Sequence, residues 1–174
     1  MRPENQVRLE KIEKFSGILR VICNLLMALV TLAFLAGCIA LLVNKGGAIR
    51  YFHVSFAIGE LTLRGRLILL VLNVLTFGIL FKCFFHLRQL FGNYSRGEIF
   101  TTESSVQIRQ LGNACVMWGG LNILWTFLPL VLSSHPPRSF EGSLDFVVIG
   151  LIIIAISWFM EMAAEIKEEN ELTV

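Results

Sequence analysis

The chain of 174 residues is 55% hydrophobic and 16% charged, with a mean hydropathy of +0.70, which leaves little polar sequence for a separate soluble domain. Its formal net charge of +2 arises from 15 basic and 13 acidic residues scattered along segment flanks, so direct nucleic-acid binding is not expected. Four apolar runs dominate instead: Val21 to Val43, Leu67 to Phe81, Leu111 to Leu132 and Phe146 to Met160.

A hydrocarbon core about 30 Å thick is crossed by roughly 20 mainly apolar helical residues, and a helix satisfies its own backbone polar groups there. The predicted class is therefore an all-α membrane protein. It is read as one domain, residues 1–174, a four-transmembrane-helix bundle with spans at about 18–43, 67–87, 109–132 and 146–165. The lipid bilayer is its first partner.

The first span follows a basic flank of Arg2, Arg8, Lys11, Lys14 and Arg20. Together with Lys82, Arg88, Arg96 and Arg109 around the central connector and Lys167 in the tail, these put ten basic residues on one side. Lys45, Arg50, Arg64, Arg66 and Arg138 put five on the other. Basic residues near span ends stay cytoplasmic, so the topology is read as N-in/C-in. Leu35-Ala36-Gly37-Cys38 resembles a lipobox, but Ile39 to Val43 continues apolar where a released chain turns polar, which favours an uninterrupted helix.

In the loop after the first span, Phe52, Val54, Phe56 and Ile58 alternate with more polar or smaller residues, and Leu61 and Leu63 do so again. This period of two suggests either a short extracytoplasmic β-hairpin turning at Gly59-Glu60 or an amphipathic interfacial segment.

Spans one to three each carry an amide, at Asn24, Asn73 and Asn122. These read as interhelical packing groups or, more sharply, as a polar ligand site. Arg20, Lys82 and Glu161 close the inner ends of spans one, two and four. They either pair across the bundle or reach separately to the headgroups. Ala33-x-x-x-Gly37, Ala36-x-x-x-Ala40 and Cys115-x-x-x-Gly119 allow close helix approach and leave homo-oligomerisation open. Trp125 suits an outer interface, whereas Trp118 and Trp158 are expected within the bundle.

The cysteines, Cys23, Cys38, Cys83 and Cys115, sit in or beside apolar runs without a C-x-x-C pair or a histidine at ligand spacing. They read as packing residues, and no metal or cofactor is implied. His53, His86 and His135 fall in separate loops or flanks, so no nucleophile has a base beside it and no enzyme is expected.

The connector, Leu90 to Glu103, holds Gly92, Asn93 and Gly97, which are read as breaking the second helix. Thr101 or Thr102 is read as capping the third, with Ser104 to Gln107 as a later box-like cap. Ile99 and Phe100 are then exposed unless a partner covers them. The tail carries Glu161, Glu165, Glu168, Glu169 and Glu171 against the single base Lys167. Acids at a helix C-terminus oppose its dipole and call for basic partners, either on the connector or on another protein.

Three segments carry a resemblance: Gly97-Glu98-Ile99-Phe100-Thr101, Ile108-Arg109-Gln110-Leu111-Gly112, and Glu168-Glu169-Asn170-Glu171-Leu172-Thr173-Val174. They look like a bacterial family of small four-span membrane proteins catalogued as a domain of unknown function. The resemblance implies an inner-membrane location and genetic pairing with a helix-turn-helix regulator of the Cro/repressor type. It supplies no catalytic residues.

The leading expectation is a non-enzymatic bacterial inner-membrane protein that binds or sequesters such a DNA-binding regulator on its cytoplasmic face. Arg96, Gly97, Ile99, Phe100, Thr101, Glu168, Glu169 and Glu171 are the expected partner-binding residues. The alternative is a small transporter, channel or ligand-sensing bundle built on Asn24, Asn73 and Asn122.

Overall fold

The computed structural model describes residues 3–43, 48–51, 54–57, 62–132 and 144–172. Among them the chain forms four helices and two short strands: α1 (Pro3–Val43), β1 (Ala48–Tyr51), β2 (Val54–Ala57), α2 (Leu63–Tyr94), α3 (Thr102–Leu132) and α4 (Asp145–Leu172). Pro3 opens α1 at a position where its missing N–H has no helical acceptor to lose. Thr62 opens α2, its hydroxyl accepting the Gly65 N–H at 3.3 Å.

At about 1.5 Å per residue, the 41 residues of α1 reach about 60 Å, twice the thickness of a hydrocarbon core. The helix therefore continues well past the apolar run that begins at Val21. Among the described residues, three helical stretches can cross a membrane by length and composition: Lys11–Val43, Leu63–Tyr94 and Asp145–Ile166. They point to a multi-pass membrane protein. Their outward faces agree, since Leu32 is 68% exposed, Leu42 70% and Phe159 71%. Apolar area of that kind costs roughly 25 cal/mol per Å² in water and nothing comparable against lipid.

The main packing is between sequential neighbours: α1 on α2, α2 on α3, and α3 on α4. On α1 the inward residues Ser16, Cys23, Met27, Phe34 and Leu41 recur at helical spacing. Phe34 stacks on Phe77 of α2 with centroids 4.3 Å apart, and Cys38 Sγ accepts from Asn73 Nδ2 at 3.6 Å. A buried apolar cluster joins Leu41, Leu69, Leu72, Ile79, Leu121 and Trp125.

The α3–α4 seam works differently, because backbone meets backbone. A β-carbon added at Gly112 would lie 2.8 Å from the Gly150 carbonyl oxygen, and one at Gly150 would lie 2.8 Å from that of Gly112. A β-carbon at Gly119 would lie 3.0 Å from the Val147 nitrogen. Close approach thus runs through Gly112, Gly119 and Gly150. Ala33 and Ala36, half of the expected small-residue pairs on α1, are exposed instead.

Several expectations are corrected. The strands pair antiparallel with Ala48 opposite Ala57 and Tyr51 opposite Val54, so the chain reverses between Tyr51 and Val54 and not at Gly59-Glu60. Leu63, expected as strand, starts α2, because Thr62 caps a helix there. Phe52, Ile58 and Leu61 lie outside the described residues. Trp125 is only 2% exposed, its Nε1 donating to Thr76 Oγ1 at 3.4 Å, while Trp158 is 59% exposed. The reason is helical phase: Trp125 follows Leu121 on the α3 face against α2, whereas Trp158 and Phe159 point away from the α3 contact.

Candidate functional site

The antiparallel packing brings the start of α1, the end of α2, the start of α3 and the end of α4 to one face, here termed the connector face. Three contacts define it. Glu13 Oε1 lies 3.3 Å from where a Gly97 β-carbon would stand, Arg20 lies against Gly92, and Arg109 Nη1 meets Glu161 Oε2 at 3.4 Å.

The turn joining α2 to α3 is built almost wholly from backbone and hydroxyl bonds. Helix α2 runs through Gly92 and Asn93 to Tyr94, so neither of those residues breaks it, contrary to expectation. It ends in a Schellman arrangement: the Glu98 N–H donates to Asn93 O at 3.1 Å and the Gly97 N–H to Tyr94 O at 3.1 Å. Gly97 stands at the left-handed position this ending needs, with φ 76°.

On the far side Thr101 caps α3, accepting the Ser104 N–H at 3.2 Å. Ser104 and Ser105 are buried. The Ser104 hydroxyl donates back to Glu98 O at 2.9 Å and that of Ser105 to Thr101 O at 3.2 Å, so they lock the turn and form no second cap. Ile99 is half-buried. Phe100 is 52% exposed.

Arg96 donates from Nη2 to Asn93 Oδ1 at 2.7 Å and pairs through Nε with Glu98 at 3.5 Å. Glu169 is exposed on α4, and the side chains of Glu168 and Glu171 lie outside the described residues. Of the expected partner-binding residues, Arg96, Gly97, Ile99, Phe100 and Thr101 share the turn, and Glu169 stands on α4.

The inner charges do not form one triad. Glu161 pairs with Arg109 of α3, each side chain about one-third exposed at 34% and 38%; Arg20 reaches α2 at Gly92; Lys82 is half-buried. Nor do the three amides converge. Asn24 is exposed, Asn73 is buried against Cys38, and Asn122 Nδ2 donates to the Trp118 carbonyl of its own helix at 2.9 Å. His86, expected at a flank, lies within α2, and its Nδ1 is 2.7 Å from Gln107 Oε1 of α3.

Beside the connector lies a half-open cavity of about 470 Å³, lined among others by Arg20, Arg88, Gly92, Asn93, Arg96 and Glu103. Sequence reasoning passed over Arg88, Asn93 and Glu103 as functional residues. Arg88, Gly92 and Arg96 recur every fourth residue. Continuing the α2 periodicity to Tyr94 would have placed Arg88 and Gly92 on one face, with Arg96 just past the helix end.

The family described as "Protein of unknown function (DUF2975)" matches residues 48–174, a stretch that includes the connector, α3 and α4. No curated protein and no solved structure matches the chain.

Proposed function

We propose that this chain, which belongs to the DUF2975 family, is a non-enzymatic multi-pass protein of a bacterial inner membrane that holds a small cytoplasmic helix-turn-helix regulator on its connector face. In this reading both termini are cytoplasmic. The observation that carries it is Phe100, an aromatic side chain 52% exposed at the tip of a turn that backbone and hydroxyl bonds hold in place.

A rigid turn loses little conformational entropy when it docks, and a projecting aromatic ring is the usual anchor of a protein interface. The end of α4 adds the acidic chemistry. Glu165 and Glu169 are exposed there, next to a surface that already carries the Arg109–Glu161 pair. A regulator that binds DNA presents basic side chains, so the α4 acids complement it and steer its approach. The bundle beneath serves as a scaffold.

Co-purification in mild detergent with a candidate helix-turn-helix regulator from the same genome tests the reading. Wild-type protein should retain the regulator, and Phe100→Ala combined with deletion of residues 168–174 should release it. Equal recovery from both would count against docking at this face. The second reading, a small transporter, channel or ligand-sensing bundle, requires a polar space shared by Asn24, Asn73 and Asn122, and their separate environments do not favour it.

A further inference from the structure

The cavity on the connector face is lined by three guanidinium groups from two helices and the turn that follows them, Arg20 of α1, Arg88 of α2 and Arg96, against one carboxylate, Glu103 of α3. Among the described residues neither Arg20 nor Arg88 has a carboxylate within ion-pair distance. Arg96 has one, Glu98, in a pair 61% and 46% exposed, which is weak in water.

Asn93 adds an independent observation. It lines the same cavity and is 2% exposed, with its Oδ1 taken by Arg96, yet its buried Nδ2 has no hydrogen-bond partner. A buried amide donor without an acceptor costs about 1–3 kcal/mol and marks a place where an acceptor is missing.

Gly92 completes the arrangement. With no side chain there, the Arg20 guanidinium lies over α2, its Cζ and Nε 3.9 Å from where a β-carbon would stand.

We propose that this cavity binds a phosphate group. Guanidinium forks match phosphate oxygens in pairs, and arginine sheds its hydration more readily than lysine. Asn93 lines the cavity, and a small turn of its covered amide would supply a neutral donor. Glu103 accepts from a hydroxyl, which suits a phosphate ester bearing hydroxyls more than inorganic phosphate. The volume of 470 Å³ lies within the range of about 300–1,000 Å³ usual for small-ligand sites and leaves room for groups attached to the phosphate.

Arg20 stands directly before the apolar run starting at Val21, so the cavity lies at headgroup depth. An anionic phospholipid and a soluble phosphate ester share the required chemistry. This inference does not depend on regulator binding.

Native mass spectrometry of the detergent-purified protein with added phosphatidylglycerol or phosphatidylcholine tests the lipid source. Thermal stabilisation by glycerol 3-phosphate tests the soluble one. Wild-type protein should retain phosphatidylglycerol over phosphatidylcholine, and each of Arg20→Gln and Arg88→Gln should weaken that retention about tenfold, the scale of one hydrogen bond to a charged group. Arg64→Gln, an equal loss of charge at the far end of α2, should leave it unchanged.

Stabilisation by glycerol 3-phosphate that vanishes in the same two variants, without lipid selectivity, would support the site and assign it to a soluble ester. A wild-type chain that neither prefers phosphatidylglycerol nor responds to glycerol 3-phosphate overturns the proposal, and this comparison needs no variant to fold. So does retention lost equally in Arg64→Gln.

Discussion

The α3–α4 seam and the α2–α3 turn are both tightly built, yet they differ in what is left over. Along the seam Gly112, Gly119 and Gly150 bring backbone against backbone, and the neighbouring Ser157 hydroxyl, 1% exposed, is satisfied by the Ile154 carbonyl at 2.7 Å. The groups described at these seam positions are used up within the fold. At the turn the backbone is equally well satisfied, but Phe100 projects outward and the buried Asn93 amide lacks an acceptor. Groups that the fold does not use mark the face where function is to be sought.

The seam gives the largest effect. Gly150→Val would force a β-carbon to 2.8 Å from both the Gly112 carbonyl oxygen and the Val116 nitrogen, and should cost about 3 kcal/mol or more, at the upper end of overpacking. Gly120→Val, where nothing lies within 4 Å, should be close to neutral. Unfolding in detergent, followed by helical circular dichroism, reads both. Equal tolerance would mean that the seam is not a backbone contact.

At the turn, Gly97→Ala places a β-carbon on a residue with φ 76°, 3.3 Å from the Glu13 carboxylate oxygen, and should cost about 1–2 kcal/mol. Asparagine at the same position should cost less, because its short polar side chain tolerates the left-handed region.

The smallest effect is expected between the two regions, at Arg109 and Glu161. Their pair at 3.4 Å is more than one-third exposed on the arginine side, so a double-mutant cycle with glutamine at each position should give a coupling of about 0.2–1 kcal/mol that salt reduces. A large, salt-insensitive coupling would place the pair away from water.

The same contrast explains what could be read from the sequence. Run length located the helices, because lipid imposes length directly on sequence. A cap at Thr101 or Thr102 was legible for a similar reason, since capping needs only a hydroxyl at the right offset, and the structure uses Thr101. Helical phase was not legible from uniformly apolar runs. When nearly every residue is apolar, periodicity no longer separates the face against a neighbouring helix from the face against lipid, so Trp125 and Trp158 exchanged their expected places.

Gly119 was legible as a close-approach position, but its seam partners Gly112 and Gly150 escaped for a related reason. Gly150 shows its partner only when α4 is laid beside α3, a tertiary fact that four-residue spacing within one helix does not contain. The cavity was hidden by a local misreading. Taking Gly92 and Asn93 as helix breakers removed the turn of α2 that aligns Arg88 with Arg96, whereas the helix ends only in the arrangement around Gly97.

Phe100 and Trp158 are aromatic side chains of nearly equal exposure, 52% and 59%, one on the turn and the other on the outer face of α4. A photo-crosslinking phenylalanine analogue placed at each position in turn, in cells, distinguishes what covers them. The expected result is a discrete protein adduct from position 100 and lipid adducts alone from position 158. Lipid adducts alone from both positions would contradict the assignment of the connector face as the docking surface.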